Sequence, residues 1–107
     1  MRRAADSGET ALRPYWERIA TEWGAGDALG AVCYPGMPTW FNRFHARSQV
    51  RAIERMLAGI ELRGRRCLDV GCGSGRWTRW LAERGARASG VDPTAAMLEV
   101  ARRAWPE

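Results

Sequence analysis

The sequence predicts an α/β fold, the opening part of a doubly wound parallel sheet preceded by two leading α-helices. Three observations predict it. Arg66 to Val70 reads as a short buried strand. A loop with glycine at Gly71, Gly73 and Gly75 follows it directly. Ala88 to Val91 then reads as a second strand closing on an acid, Asp92, at the spacing of a βαβ unit.

The elements follow in order. Residues 1–12 read as a loosely ordered leader. Pro14 suits the first turn of a helix running to about Trp23, with Tyr15, Trp16, Ile19 and Trp23 recurring at three- and four-residue spacing. Gly24-Ala25-Gly26 ends it, and Asp27 to Pro38 reads as a connection punctuated by Tyr34-Pro35-Gly36. Thr39 is placed to cap a longer helix from Trp40 to Ala58, with Phe41, Phe44, Ile53, Met56 and Leu57 as its apolar stripe. Gly59 and Gly64 bracket the approach to the first strand. A crossover helix spans Arg76 to Arg84, with Trp77, Trp80 and Leu81 as packing surface and Arg76, Arg79 and Arg84 on its exposed face. Gly85 suits its C-cap. A last helix runs from Thr94 to Arg103, with Pro93 near its first turn. The chain divides accordingly into a helical lead-in, 1–62, and a first βαβ unit with the start of the next helix, 63–107.

Glycine spacing narrows the chemistry. A loop without Cβ atoms lets a ligand approach the backbone closely, and the helix behind it points its N-terminus at that ligand. The dinucleotide fingerprint Gly-x-Gly-x-x-Gly needs a third glycine, but that place falls on Arg76 or Thr78. The phosphate loop of nucleotide hydrolases needs a lysine, and this chain has none. What stands is Asp69-Val70-Gly71-Cys72-Gly73-Ser74-Gly75, followed by Gly90-Val91-Asp92-Pro93-Thr94. This resembles motif I and the second acid of class I S-adenosylmethionine-dependent methyltransferases, in particular the small-molecule enzymes of the ubiquinone/menaquinone-type group. The resemblance covers Arg66 to Trp105 and is weak before that.

The resemblance implies a Rossmann-like sheet, S-adenosylmethionine as cofactor and methyl transfer to a small-molecule acceptor. The cofactor-binding residues it implies are Asp69, Gly71, Cys72, Gly73, Gly75, Asp92 and Met97. Asp92 would accept the ribose hydroxyls, Met97 would pack on the adenine, and Gly71 and Gly73 would lie against the methionine portion. Asp69 would order the loop or meet the cofactor's ammonium through water, and Arg76 is a candidate for its carboxylate. The alternatives are that Asp69 and Asp92 only cap local backbone and that Met97 is core. Leading helices in such enzymes often fold over the cleft, which makes Tyr15, Trp16, Tyr34 and Trp40 candidates to line it, against plain core packing. No catalytic base can be named; His45 is a candidate that reads more readily as structural.

The cofactor unit takes only residues 66–107, so a third strand is expected beyond the chain and a truncated enzyme is the expectation. An inactive fragment that at most binds S-adenosylmethionine is the alternative, with a NAD-binding oxidoreductase fragment third. No apolar run reaches the roughly 20 residues needed to cross a bilayer, and no signal peptide is evident. Cys33, Cys67 and Cys72, with one histidine, form no metal-ligand spacing. A cytoplasmic protein with reduced thiols, no metal and no membrane association is expected. Net charge is +5 and every basic residue is arginine. The clusters at Arg2-Arg3, Arg63-Arg65-Arg66 and Arg102-Arg103 are short and broken by glutamates, so nucleic acid is not expected as a partner. Oligomeric state is not readable.

Overall fold

A computed structural model describes residues 6–24 and 26–106. The elements are α1 (Asp6–Trp23), α2 (Ala28–Val32), α3 (Thr39–Met56), β1 (Arg66–Val70), α4 (Arg76–Glu83), β2 (Arg87–Val91) and α5 (Ala95–Ala104). The strands pair in parallel, in the register Arg66↔Arg87 through Val70↔Val91. Helix α4 is the crossover between them and packs on both. This is the mixed α/β arrangement expected of the opening part of a Rossmann-like sheet.

The lead-in departs from expectation in three places. Helix α1 begins at Asp6 and carries Pro14 inside it. Ala11, Leu12 and Arg13 favour helix, so it runs through the proline, which forfeits one backbone bond, rather than starting there. Residues 1–5 of the expected leader lie outside the described residues. The connection after α1 contains a short helix, α2. Asp27 caps it by accepting from the Gly30 amide at 2.8 Å, and burial of Gly30 and Ala31 outweighs glycine's poor propensity. Thr39 is the first residue of α3 rather than its cap; Pro38 holds that place without a side-chain bond.

The core lies between the lead-in and the last helix. Ile19 and Ala20 of α1, Ala31 of α2, and Met97 and Val100 of α5 are buried together. Gly24 ends α1 against α5, where a Cβ would collide with Val100. The buried Asn42 of α3 fixes the turn after α2, donating to Tyr34 O at 3.1 Å and accepting from Tyr34 N at 3.0 Å.

Two predicted apolar surfaces lie partly open. Of the stripe predicted on α3, Phe41, Ile53 and Leu57 are half-buried, whereas Phe44 and Met56 are 67% and 76% exposed and Asn42, His45, Ala46 and Gln49 share the packed face. Strand β1 is covered on one face only. Leu68 and Val70 are 62% and 76% exposed on the other, beside Val91 of β2. No helix among the described residues is long and apolar enough to cross a membrane.

Candidate functional site

The site forms where both strands end. The amides of Gly71 and Cys72 donate to Val91 O at 2.8 and 3.0 Å, so the loop after β1 folds over the end of β2. Asp92, the first residue past β2, ties the two loops together. Its Oδ2 accepts from the Gly73 amide at 2.9 Å and its Oδ1 from the Thr94 amide at 2.8 Å. Each oxygen keeps lone-pair capacity for a further donor. Gly73 and Gly75 have φ of +53° and +78°, a backbone region that disfavours side chains. At Gly73 a Cβ would also press to 3.1 Å from Val32 of α2.

Above this loop lies a cavity of about 400 Å³ lined by the loop, the Asp92–Thr94 turn, Met97 and side chains of the lead-in. Of the predicted site residues, Gly71, Cys72, Gly73, Asp92 and Met97 meet there; Asp69 and Gly75 do not line it. Asp69 accepts from Thr78 Oγ1 at 2.8 Å and so ties β1 to α4. Gly75 lies behind the loop, against the Trp105 ring, whose Nε1 donates to Ser74 O at 3.0 Å. Met97 is at once core and cavity wall, being 2% exposed.

The lead-in supplies Trp16, Val32 and Gln49 to the lining. Trp16 was among the four aromatic candidates; Tyr15, Tyr34 and Trp40 are not in the lining. His45 is also outside it and packs edge-on to Tyr34, with ring centroids 5.0 Å apart. Sequence reasoning did not single out Val32 or Gln49, because nothing local in either marks a partner so far along the chain. Arg76 explains the approach of α3. Its Nη1 donates to Gln49 Oε1 at 2.7 Å and its Nη2 to Ala46 O at 3.1 Å, while its guanidinium lies 4.4 Å from the centre of the Trp77 ring. Arg84, over the Trp80 ring, reaches Glu54 at 2.9 Å. The arginines expected on the exposed face of α4 are thus half-buried, and two of them strap α3 to it.

The titratable side chains in the lining are Cys72, Arg76 and Asp92. Burial pushes the Cys72 thiol above its ordinary value, and the Asp69 and Asp92 carboxylates push it the same way. Its sulfur sits over Gly90, where a Cβ would come within 2.8 Å of it and 2.7 Å of Thr78 Oγ1. Cys72 is therefore a neutral packing group at physiological pH. Among the described residues no three His, Cys, Asp or Glu side chains gather as a metal site.

A parallel strand pair, a glycine loop at its carboxyl end and an acid closing the second strand form the kind of crevice in which open α/β sheets hold ligands. Comparison with known proteins agrees. The family model described as a methyltransferase domain matches residues 67–107. A ubiquinone biosynthesis O-methyltransferase of Alkalilimnicola ehrlichii is 48% identical over 50 residues, covering 47% of this chain and 19% of that protein. A trans-aconitate 2-methyltransferase of Delftia acidovorans is 40% identical over 73 residues, covering 65% of this chain and 27% of that protein. A 23S rRNA (uracil(1939)-C(5))-methyltransferase of Thiobacillus denitrificans is 30% identical over 96 residues, covering 89% of this chain and 22% of that protein. No solved structure matches at a significant level. Over residues 67–107 the chain is similar to a class I S-adenosylmethionine-dependent methyltransferase domain, and its α/β arrangement is that of the opening part of such a sheet. It spans about a fifth to a quarter of the length of these three curated relatives.

Proposed function

We propose that the cavity over Gly71–Gly73 is an S-adenosylmethionine site and that the whole protein transfers a methyl group to a small-molecule acceptor in the cytoplasm. The observation that carries this reading is the use of the loop amides. Gly71 and Cys72 donate to Val91 O, Gly73 donates to Asp92, and Gly75 donates to Cys72 O. A pyrophosphate needs such amides free to receive it. This loop spends these four on the protein and leaves only Ser74 and the first turn of α4 as donors, which weighs against a dinucleotide and suits a ligand that needs fewer amides. Asp92, with acceptor capacity left on both oxygens, suits a ribose diol. Gly71, where a Cβ would meet nothing within 4 Å, leaves room for a ligand against the backbone.

The residues then take the following parts. Asp92 accepts from the ribose and holds the loop in shape. Met97 and Pro93 supply apolar wall for the adenine. Trp16 and Trp77 supply aromatic wall, and Arg76 and Gln49, bonded at 2.7 Å, join α4 to α3 in the lining. Asp69 acts indirectly by fixing α4 to β1, and Gly75 by letting the loop turn into α4. The bound cofactor supplies a methyl group already activated on a sulfonium, so the protein's task is chiefly to align donor and acceptor and exclude water. Asp92 is the one carboxylate in the lining, and its part here is to hold the ribose and the loop rather than to take a proton from the acceptor.

The small-molecule acceptor rests on relatives whose names specify ubiquinone biosynthesis and trans-aconitate. Titration calorimetry with S-adenosylhomocysteine and with NAD tests the cofactor. The first should bind and the second should not; NAD binding with no response to S-adenosylhomocysteine would reverse the assignment. Methyl-labelled cofactor offered with a hydroxylated ubiquinone precursor, trans-aconitate and ribosomal RNA tests the acceptor. Label is expected in a small molecule, and label in the RNA alone would overturn that part.

A further inference from the structure

Arginines that look dispersed in the sequence form a ladder on α3. Arg43, Arg47, Arg51 and Arg55 recur every four residues, and all four are exposed. Among the described residues none has a carboxylate within salt-bridge distance or a side-chain hydrogen bond. Residues four apart on a helix are neighbours, and like charges there repel. Three successive such pairs are a cost that folding alone does not require. The ladder spans about 18 Å at the helical rise, the length of about five stacked nucleotides. Two large aromatic side chains share this surface: Trp40 and Phe44 are 69% and 67% exposed, and helical periodicity sets them among the arginines. The packed side of α3, carrying Asn42, Ala46 and Gln49, lies opposite.

We infer that the outer face of α3 is a docking surface for single-stranded RNA, separate from the cofactor cavity. Its chemistry has two parts. A row of guanidiniums meets successive phosphates and displaces their counterions. Aromatic rings at one end of the row offer faces on which bases stack. An amphipathic helix that lies on a lipid surface separates its apolar face from its charged one. Here aromatics and arginines interleave on the same face, and the charge is unbalanced, which favours a polyanion with planar groups. This goes beyond the methyl-transfer reading and does not depend on it, because α3 gives the cavity only Gln49, from its packed side. It also reverses the expectation, drawn from the short arginine clusters elsewhere, that nucleic acid is not a partner.

The test is fluorescence anisotropy of the full chain with a labelled oligouridylate of about 12 nucleotides, over a range of salt. The wild type should bind with a log–log salt slope of about −3, from four phosphate contacts on a single strand. Arg47→Glu should cut affinity by about tenfold and flatten that slope. The new carboxylate lies four residues from both Arg43 and Arg51, so this variant should fold at least as well as the wild type. Trp40→Ala should lower affinity by about tenfold while leaving the slope unchanged, the mark of lost stacking. Arg103→Glu, an exposed change on α5, should leave binding within about twofold. Equal losses with Arg47→Glu and Arg103→Glu would show general attraction to a basic chain and overturn the proposal. So would binding to phosphatidylserine vesicles without binding to the oligonucleotide.

Discussion

Both Asp92 oxygens accept backbone amides from different loops, so substitutions there act on binding and on folding together. Asp92→Ala should weaken S-adenosylhomocysteine binding by about tenfold or more and lower stability by about 2 kcal/mol, read by calorimetry and urea denaturation. Gly90→Ala should cost about 2 kcal/mol, because its Cβ would meet Thr78 Oγ1 and the Cys72 sulfur between strand and helix. Cys72 carries the pH prediction. The folded chain holds its thiol proton beyond the ordinary 9.0, whereas the unfolded chain releases it there. Stability from this group is therefore full below that value and falls as pH rises past it. Denaturation curves at pH 8 and pH 10 should show the loss, and Cys72→Ser should reduce it. At this scale Asp92 was legible because the strand-to-strand spacing fixed its place. Asp69 was harder to read: an acid at the end of a strand looks the same whether it faces a ligand or a threonine on the next helix. Gly90 was legible only as a member of the second-strand motif; its need for glycine comes from atoms twelve and eighteen residues away.

Among elements, both strands, the crossover helix and α5 were legible to within a residue or two, because local pattern and turn residues agree there. The lead-in was less so. Helix α2 is too short to show a period and contains a glycine, and it exists because α1 and α5 bury it. The apolar stripe predicted for α3 was partly inverted, since its packed face is built on Asn42, Ala46 and Gln49, held by partners the helix does not reveal. Arg76 provides the test at this scale. Arg76→Ala removes the bonds to Gln49 and Ala46, and hydrogen exchange in α3 near these residues should quicken by about tenfold. Exchange in β1 and β2 should change little. Unchanged exchange in α3 would mean that the packing of Asn42 and the Arg84–Glu54 pair already hold it.

For the whole molecule, surface area is the telling quantity. The chain exposes 8052 Å², against the roughly 6,000 Å² expected of a folded monomer of its mass. Part of the excess is the uncovered sheet face of Leu68, Val70 and Val91. Parallel sheets are normally covered on both faces. The isolated chain should therefore bind the dye ANS in the absence of denaturant, and Val70→Thr should reduce that signal. Weak dye binding that Val70→Thr leaves unchanged would show that this face is covered in solution. The pattern of this exposure was not legible in the sequence, because apolar strand residues read as buried whether or not a layer lies over them. The net charge was legible, but its concentration on α3 appears only when residues 43, 47, 51 and 55 are set on one helix.

The most direct measurement of the central claim is a ¹H–¹⁵N NMR titration of the chain with S-adenosylhomocysteine. Saturable shifts at the amides of Gly71, Cys72 and Gly73 and of Thr94 and Met97, lost in Asp92→Asn, are the predicted result. Shifts confined to other parts of the chain, or none at concentrations that saturate known methyltransferases, would contradict the assignment of this loop as the cofactor site.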